Sequence, residues 1–259
     1  MEALVSGTPF VLVVAGGMLA LLLAALEWGY RRGRRAVELH DVASSAQIGA
    51  VQGAILGMLG LLLAFSFAAA GGRFLERQDL IVAEANAVGT AWLRADLLDE
   101  PARSELRSAL KDYTAHRVTS HSRFQAQLDT SDAAEIERLH GRIWQSALAG
   151  VAARPETMLA VLNPVNEVID LHSTRMYAAQ KHLPTLVLSL LIASSLLALG
   201  VIGYGCGVAG RRSAAMTIPL AIVIGVALWV TIDLDYPRRG LLQLSDAPLE
   251  ALRFDAPAQ

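Results

Sequence analysis

Charged residues are missing from four stretches of the chain, 3–26, 42–72, 183–210 and 213–232, and each is at least 20 residues long. A helix needs about 20 predominantly apolar residues to cross a hydrocarbon core about 30 Å thick. Lipid offers backbone groups no partner, so each run must bond within itself and be helical. The pattern predicts spans at Pro9–Leu26, Ile48–Ala70, Pro184–Tyr204 and Met216–Leu234. Buried helices of a large soluble core are the rival reading, and four such runs in 259 residues argue against it.

Positive charge gives the runs an orientation. Met1–Pro9 carries only Glu2, whereas Arg31, Arg32, Arg34 and Arg35 follow the first run. That order fits an uncleaved anchor with its N-terminus outside, and a cleaved signal peptide would show the reverse. The short loop between the last two spans carries Arg211 and Arg212, while the opposite side has Arg238, Arg239 and Arg253. Six against three puts both short loops inside, and the middle segment and both termini outside the cytoplasm. Arg73, Arg77, Arg175 and Lys181 lie near the membrane on that outer side and pull the other way.

Between the second and third spans, 73–182 is charged and poor in glycine, and it is long enough for a small domain. Its apolar spacing is helical. Phe74, Ile81, Ala85, Val88 and Trp92 form one stripe that begins just after the second span, so that span is expected to run on into the domain, with a bend at Gly71-Gly72 and a stop at Pro101. A second helix follows, since proline is favoured at a first helical position, with Leu106, Leu110, Tyr113, Phe124 and Leu128 on its face. Thr130, Ser131 and Asp132 offer caps for a third, carrying Ile136, Leu139, Ile143, Leu148 and Val151. A fourth starts after Arg154-Pro155-Glu156. It is expected to break at Asn163-Pro164, because a residue before proline is pushed out of the α region, and to continue through Val165, Val168, Ile169, His172 and Met176. The fold class is therefore an all-α integral membrane protein: four transmembrane helices with a helical bundle domain inserted between the second and third. The divisions are 1–72, a first transmembrane helix pair; 73–182, the extramembrane domain; 183–235, a second transmembrane pair; and 236–259, a C-terminal tail.

Composition agrees. Hydrophobic residues make up 54% and charged residues 18%, against roughly 25% charged in soluble domains. Together with a net charge of −2, this excludes a disordered chain or a nucleic-acid partner. One cysteine excludes an internal disulfide framework and any multi-cysteine metal site.

Catalytic signatures are absent: there is no nucleophile elbow, no phosphate-binding loop and no zinc-protease motif, so no catalytic residue, cofactor or metal is expected and the protein is not read as an enzyme. His116 and His121 are five apart and do not share a helix face, and His172 on an apolar stripe reads as a satisfied core histidine. The second span is the most informative. Gly53, Gly57, Gly60 and Ala64 fall on one face, where small side chains let helices approach closely in lipid. That face serves either packing within the chain, against the first or fourth span, or packing against copies of itself around an axis. Ser66 lies opposite the stripe with Phe65 and Phe67 flanking it. If the helix lines a pore, the phenylalanines are candidates for a constriction that gates by dewetting; otherwise they are ordinary packing or lipid-facing aromatics. Asp233 and Asp235 end the last span, and either pair with Arg73, Arg238 or Arg239 to fix the helix end or form a charged vestibule. Glu84 and Arg94 sit beside an apolar stripe and suggest a buried hydrogen-bond network.

Leu61-Leu62-Leu63-Ala64-Phe65-Ser66-Phe67, then Arg73-Phe74, then Glu84-Ala85-Asn86-Ala87 through Trp92-Leu93-Arg94, resemble the bestrophin-like family of integral membrane proteins. His182-Leu183-Pro184, the glycines of 200–210 and Asp233-Leu234-Asp235 followed by Pro237 and Gly240 fit the same pattern. The distant kinship with bestrophins, pentameric anion channels with four membrane helices per subunit, implies a homo-oligomer in the lipid bilayer whose second helix lines a pore for chloride or other small anions. Phe65 and Phe67 stand at a position similar to the neck aromatics of those channels. Bestrophins keep their helical domain and termini in the cytosol, whereas the arginines here argue for an inner-membrane protein with that domain extracytoplasmic. A membrane-anchored interaction or sensing module without a pore is the alternative.

Overall fold

The computed structural model describes residues 2–40, 44–123, 130–237 and 241–254. The chain runs through α1 (Glu2–Glu38), α2 (Ser45–Arg94), α3 (Ala102–Arg123), α4 (Thr130–Ala153), α5 (Met158–Gln180), α6 (Thr185–Val208), α7 (Ala214–Asp235) and the short α8 (Ala247–Glu250), with no strand among the described residues. Four helices, α1, α2, α6 and α7, are long and apolar enough to cross a membrane.

Two compact units divide the chain. The first comprises 1–74 and 182–243 and holds the four apolar runs. Its core joins Leu22 of α1, Leu59 of α2, Leu191 and Leu199 of α6, and Ala221, Ile224 and Leu228 of α7. In lipid there is little hydrophobic drive between helices, so close packing must come from small residues. Here α1 and α6 supply them. A β-carbon on Gly203 would fall 2.0 Å from the Leu26 carbonyl oxygen, on Gly207 2.2 Å from that of Tyr30, on Gly29 1.9 Å from that of Gly200, and on Gly33 2.2 Å from that of Tyr204. Gly200, Gly203 and Gly207 therefore seat α6 on α1. Gly210, with φ +68°, is the one that turns the chain. Gln52 of α2 ties to α6 by donating from Nε2 to the Val201 carbonyl at 3.1 Å.

The second unit comprises 75–181 and 244–259. Its core is the expected set of stripes: Val88 and Trp92, Leu106, Leu110 and Tyr113, Leu139 and Ile143, Val165 and Val168. Leu148 is instead 41% exposed, and the small Ala147 takes the inward place on α4. Residues beyond Leu244, set apart in the sequence as a tail, pack here. Leu249 is buried against Ile81 and Ala85. Phe254 meets Trp92 edge-on at 4.8 Å. Gln78 exchanges two 3.0 Å hydrogen bonds with the Ser245 backbone.

Local expectations meet two corrections. Helix α2 runs on through Gly71-Gly72 into the second unit, as expected. It stops at Arg94, ahead of Pro101, and yields to a single 3₁₀ turn at Ala95–Leu97. Helix α5 does not break at Asn163-Pro164, since Pro164 lies within it. Proline removes the N–H that would bond the carbonyl four residues back. That carbonyl, of Ala160, receives Nη1 of Arg94 at 2.8 Å instead, so the acceptor is satisfied and the helix persists. Phe124 and Leu128 lie outside the described residues.

Candidate functional site

In the first unit, α2 presents one side to the core and the other to open space. A β-carbon on Gly53, Gly57 or Gly60 would meet nothing within 4 Å, and Ala64 on the same face is exposed. Among the described residues, then, these glycines pack against no other part of the chain. Ser66 is buried on the opposite face, while Phe65 is 67% and Phe67 48% exposed. The structure therefore separates Ser66 from the two phenylalanines.

The end of α7 is a polar knot. Asp235 is buried and takes Nε of Arg73 at 3.1 Å and the backbone N–H of Leu183 at 2.8 Å. His182 donates from Nδ1 to the Asp235 carbonyl at 3.0 Å and stacks on Tyr236 at 4.3 Å. Asp233 receives the backbone N–H groups of Leu241 and Leu242 at 3.2 and 2.8 Å. Both carboxylates are thereby committed to holding the chain where it leaves α7. Arg238 and Arg239 lie outside the described residues.

The second unit holds a buried charge cluster. Glu84 of α2 is fully buried. It accepts from the Tyr113 hydroxyl at 2.5 Å and from Nε of Arg117 at 3.1 Å through one oxygen, and from Arg175 through the other. Arg175 also faces Asp246 at 3.6 Å. Glu84 lies beyond the charge-free run that spans the membrane, in the part of α2 that belongs to the second unit. Burial would raise its pKa, but the charges of Arg117 and Arg175 and the Tyr113 hydrogen bond outweigh that and hold it at about 2. Burial and the Glu84 charge push the Tyr113 hydroxyl well above its usual value, so it remains a donor. The network expected around Glu84 is present, but Arg94 is not in it; Arg94 is exposed and serves the Ala160 carbonyl. His172 is not the satisfied core histidine expected: its buried Nδ1 has no hydrogen-bond partner among the described residues. No group of three metal-ligating side chains occurs among the described residues.

The family model described as the Bestrophin-like domain matches residues 19–249. The chain belongs to the bestrophin-like family. The match reaches into both units of this bestrophin-like protein. Among curated proteins and among solved structures nothing matches it.

Most of the bestrophin-like chain's cluster was hidden in the sequence: Tyr113, Arg117, His140, Arg175 and Asp246 gave no motif. A signal was nonetheless there. Arg117 stands one turn after Tyr113, and Arg175 one turn after His172, each in register with a buried stripe. A guanidinium on an apolar stripe requires a buried carboxylate, and Glu84 was the one carboxylate placed beside such a stripe.

Proposed function

We propose that copies of this bestrophin-like protein assemble around α2 into an anion-permeable pore, with the helical bundle inserted between the second and third spans. The observation that supports this reading is the open face of α2. Three glycines in helical register have no neighbour among the described residues and Ala64 on the same face is exposed, although small residues in a lipid-embedded helix are useful chiefly where another helix comes close. A second copy of α2 is the occupant that matches, since symmetry repeats the same narrow face around an axis. Phe65 and Phe67, exposed at the edges of that face, would narrow such a pore to an apolar ring that gates by dewetting. Chloride and other small anions are the permeant class that the family likeness supports. The arginine distribution supports an inner-membrane protein with the helical domain extracytoplasmic.

Purified protein in liposomes, with its oligomeric mass measured in parallel, tests the reading. Chloride efflux is expected, and Phe67→Ala should change its rate. A verified oligomer that passes no chloride overturns it and leaves a membrane-anchored interaction module. Labelling an introduced cysteine at the exposed Glu137, in a chain with Cys206→Ala, reports the side on which the domain lies.

A further inference from the structure

Within the second unit, His140 of α4 and His172 of α5 meet edge to face, with ring centroids 5.1 Å apart and planes at 76°. Nε2 of His140 and Nδ1 of His172 are buried and have no hydrogen-bond partner among the described residues. A buried polar atom left in this way costs stability and is uncommon, so the pair calls for a reason beyond packing. The Tyr113 ring lies 5.3 Å from His140, and its hydroxyl is already given to Glu84.

The charged groups around the pair come from each neighbouring element: Glu84 from α2, Arg117 from α3, Arg175 from α5 and Asp246 from the segment before α8. Two carboxylates face two guanidinium groups, so the cluster balances with both histidines neutral. A proton added to either ring places a third cation beside Arg117, with Glu84 already engaged by two arginines.

We propose that His140 and His172 form an acid-sensitive latch between α4 and α5, closed while both rings are neutral and released when one gains a proton. The latch belongs to the helical unit and holds whether or not the protein conducts ions. Burial first, then the Arg117 charge, lowers the His172 pKa from 6.5 to about 4. Burial also lowers that of His140, with Glu84 pulling the other way. The sign follows. Above pH 6.5 neither the closed nor the opened unit holds these protons, and nothing is lost. Below it the opened unit binds protons that the closed one does not, so closure weakens as the pH falls from 6.5 towards 4. His116, which pairs with Asp132 at 2.7 Å in a part-buried contact between α3 and α4, lies outside the pair and serves as the control.

Hydrogen–deuterium exchange of the full-length protein in lipid nanodiscs, corrected for the chemical exchange rate, tests the latch at about pH 7.5 and about pH 5. Protection of α4 and α5 peptides should fall on the order of tenfold at the lower pH in the parent protein. His172→Phe, which keeps a ring but cannot take a proton, should abolish most of that fall, and His116→Gln should leave it intact. Unchanged protection in the parent, or the same fall in His172→Phe, overturns the proposal. Should His172→Phe not fold, ring resonances of labelled histidine in the parent protein decide. Two rings that resist protonation until well below the ordinary histidine range support the latch, and ordinary titration of all six histidines overturns it.

Discussion

Gly203 of α6 lies so close to Leu26 of α1 that a β-carbon on it would fall 2.0 Å from the Leu26 carbonyl oxygen. Backbone cannot step aside as a flexible side chain can, so Gly203→Ala must separate two helices along their length. Such overpacking costs about 1–3 kcal/mol, and the variant should melt well below the parent in detergent. Gly57→Ala is the counterpart. It meets nothing within 4 Å and gains helix propensity of up to about 1 kcal/mol. Its protomer should be no less stable, while its oligomeric mass should fall or its chloride flux change.

Glu84 is fully buried and holds two arginines. Removing the carboxylate takes from Arg117 the group it bonds and leaves Arg175 only Asp246, and breaking buried pairs of this kind typically costs about 3–5 kcal/mol. Glu84→Ala should therefore destabilise the second unit far more than Tyr113→Phe. The latter removes one donor and leaves both arginines in place, for a loss of about 1–3 kcal/mol. Urea unfolding followed by tryptophan fluorescence distinguishes the two. Equal losses would mean that the carboxylate is not the centre of the cluster.

The same carboxylate sets an acid limit. Its folded pKa of about 2 lies below the ordinary 4.5. The stability it confers is therefore complete above pH 4.5 and drains away as the pH falls towards 2. In Glu84→Gln this loss should vanish from a plot of unfolding free energy against pH. The histidine window lies higher, between 6.5 and about 4, so a single titration separates the two effects.

Asp235→Asn should loosen the end of α7. The amide keeps an oxygen for the Leu183 N–H but no charge for Arg73. Asp235→Ala loses both and should be worse. Limited proteolysis after α7, read beside melting temperature, measures the order; similar cleavage of the two variants would contradict it.

The helices were legible because each carries its own pattern: missing charge for α1, α2, α6 and α7, and 3.6-residue stripes for α3 to α5. What the sequence concealed were partners set far apart. The Ala160 carbonyl that Pro164 leaves free in α5 is served by Arg94, 66 residues earlier. Glycine spacing announced close packing on α2 without naming the surface it would meet, and the glycines of α6 gave no such sign. On α6 the partner is α1, with Gly200 against Gly29 and Gly203 against Leu26; on α2 the described residues supply none. Within the Glu84 cluster only Glu84 was read as part of a buried network, because a lone arginine in a stripe resembles a solvated one until the opposing helix is known.

Leu244, Leu249, Leu252 and Phe254 complete a core whose other members precede α6. During translation, then, the helical unit stays unfinished while α6 and α7 are made and inserted, with Ile81, Ala85 and Trp92 waiting uncovered. A chain cut short before Leu244 lacks these closing residues and leaves Ile81, Ala85 and Trp92 without the side chains that pack on them.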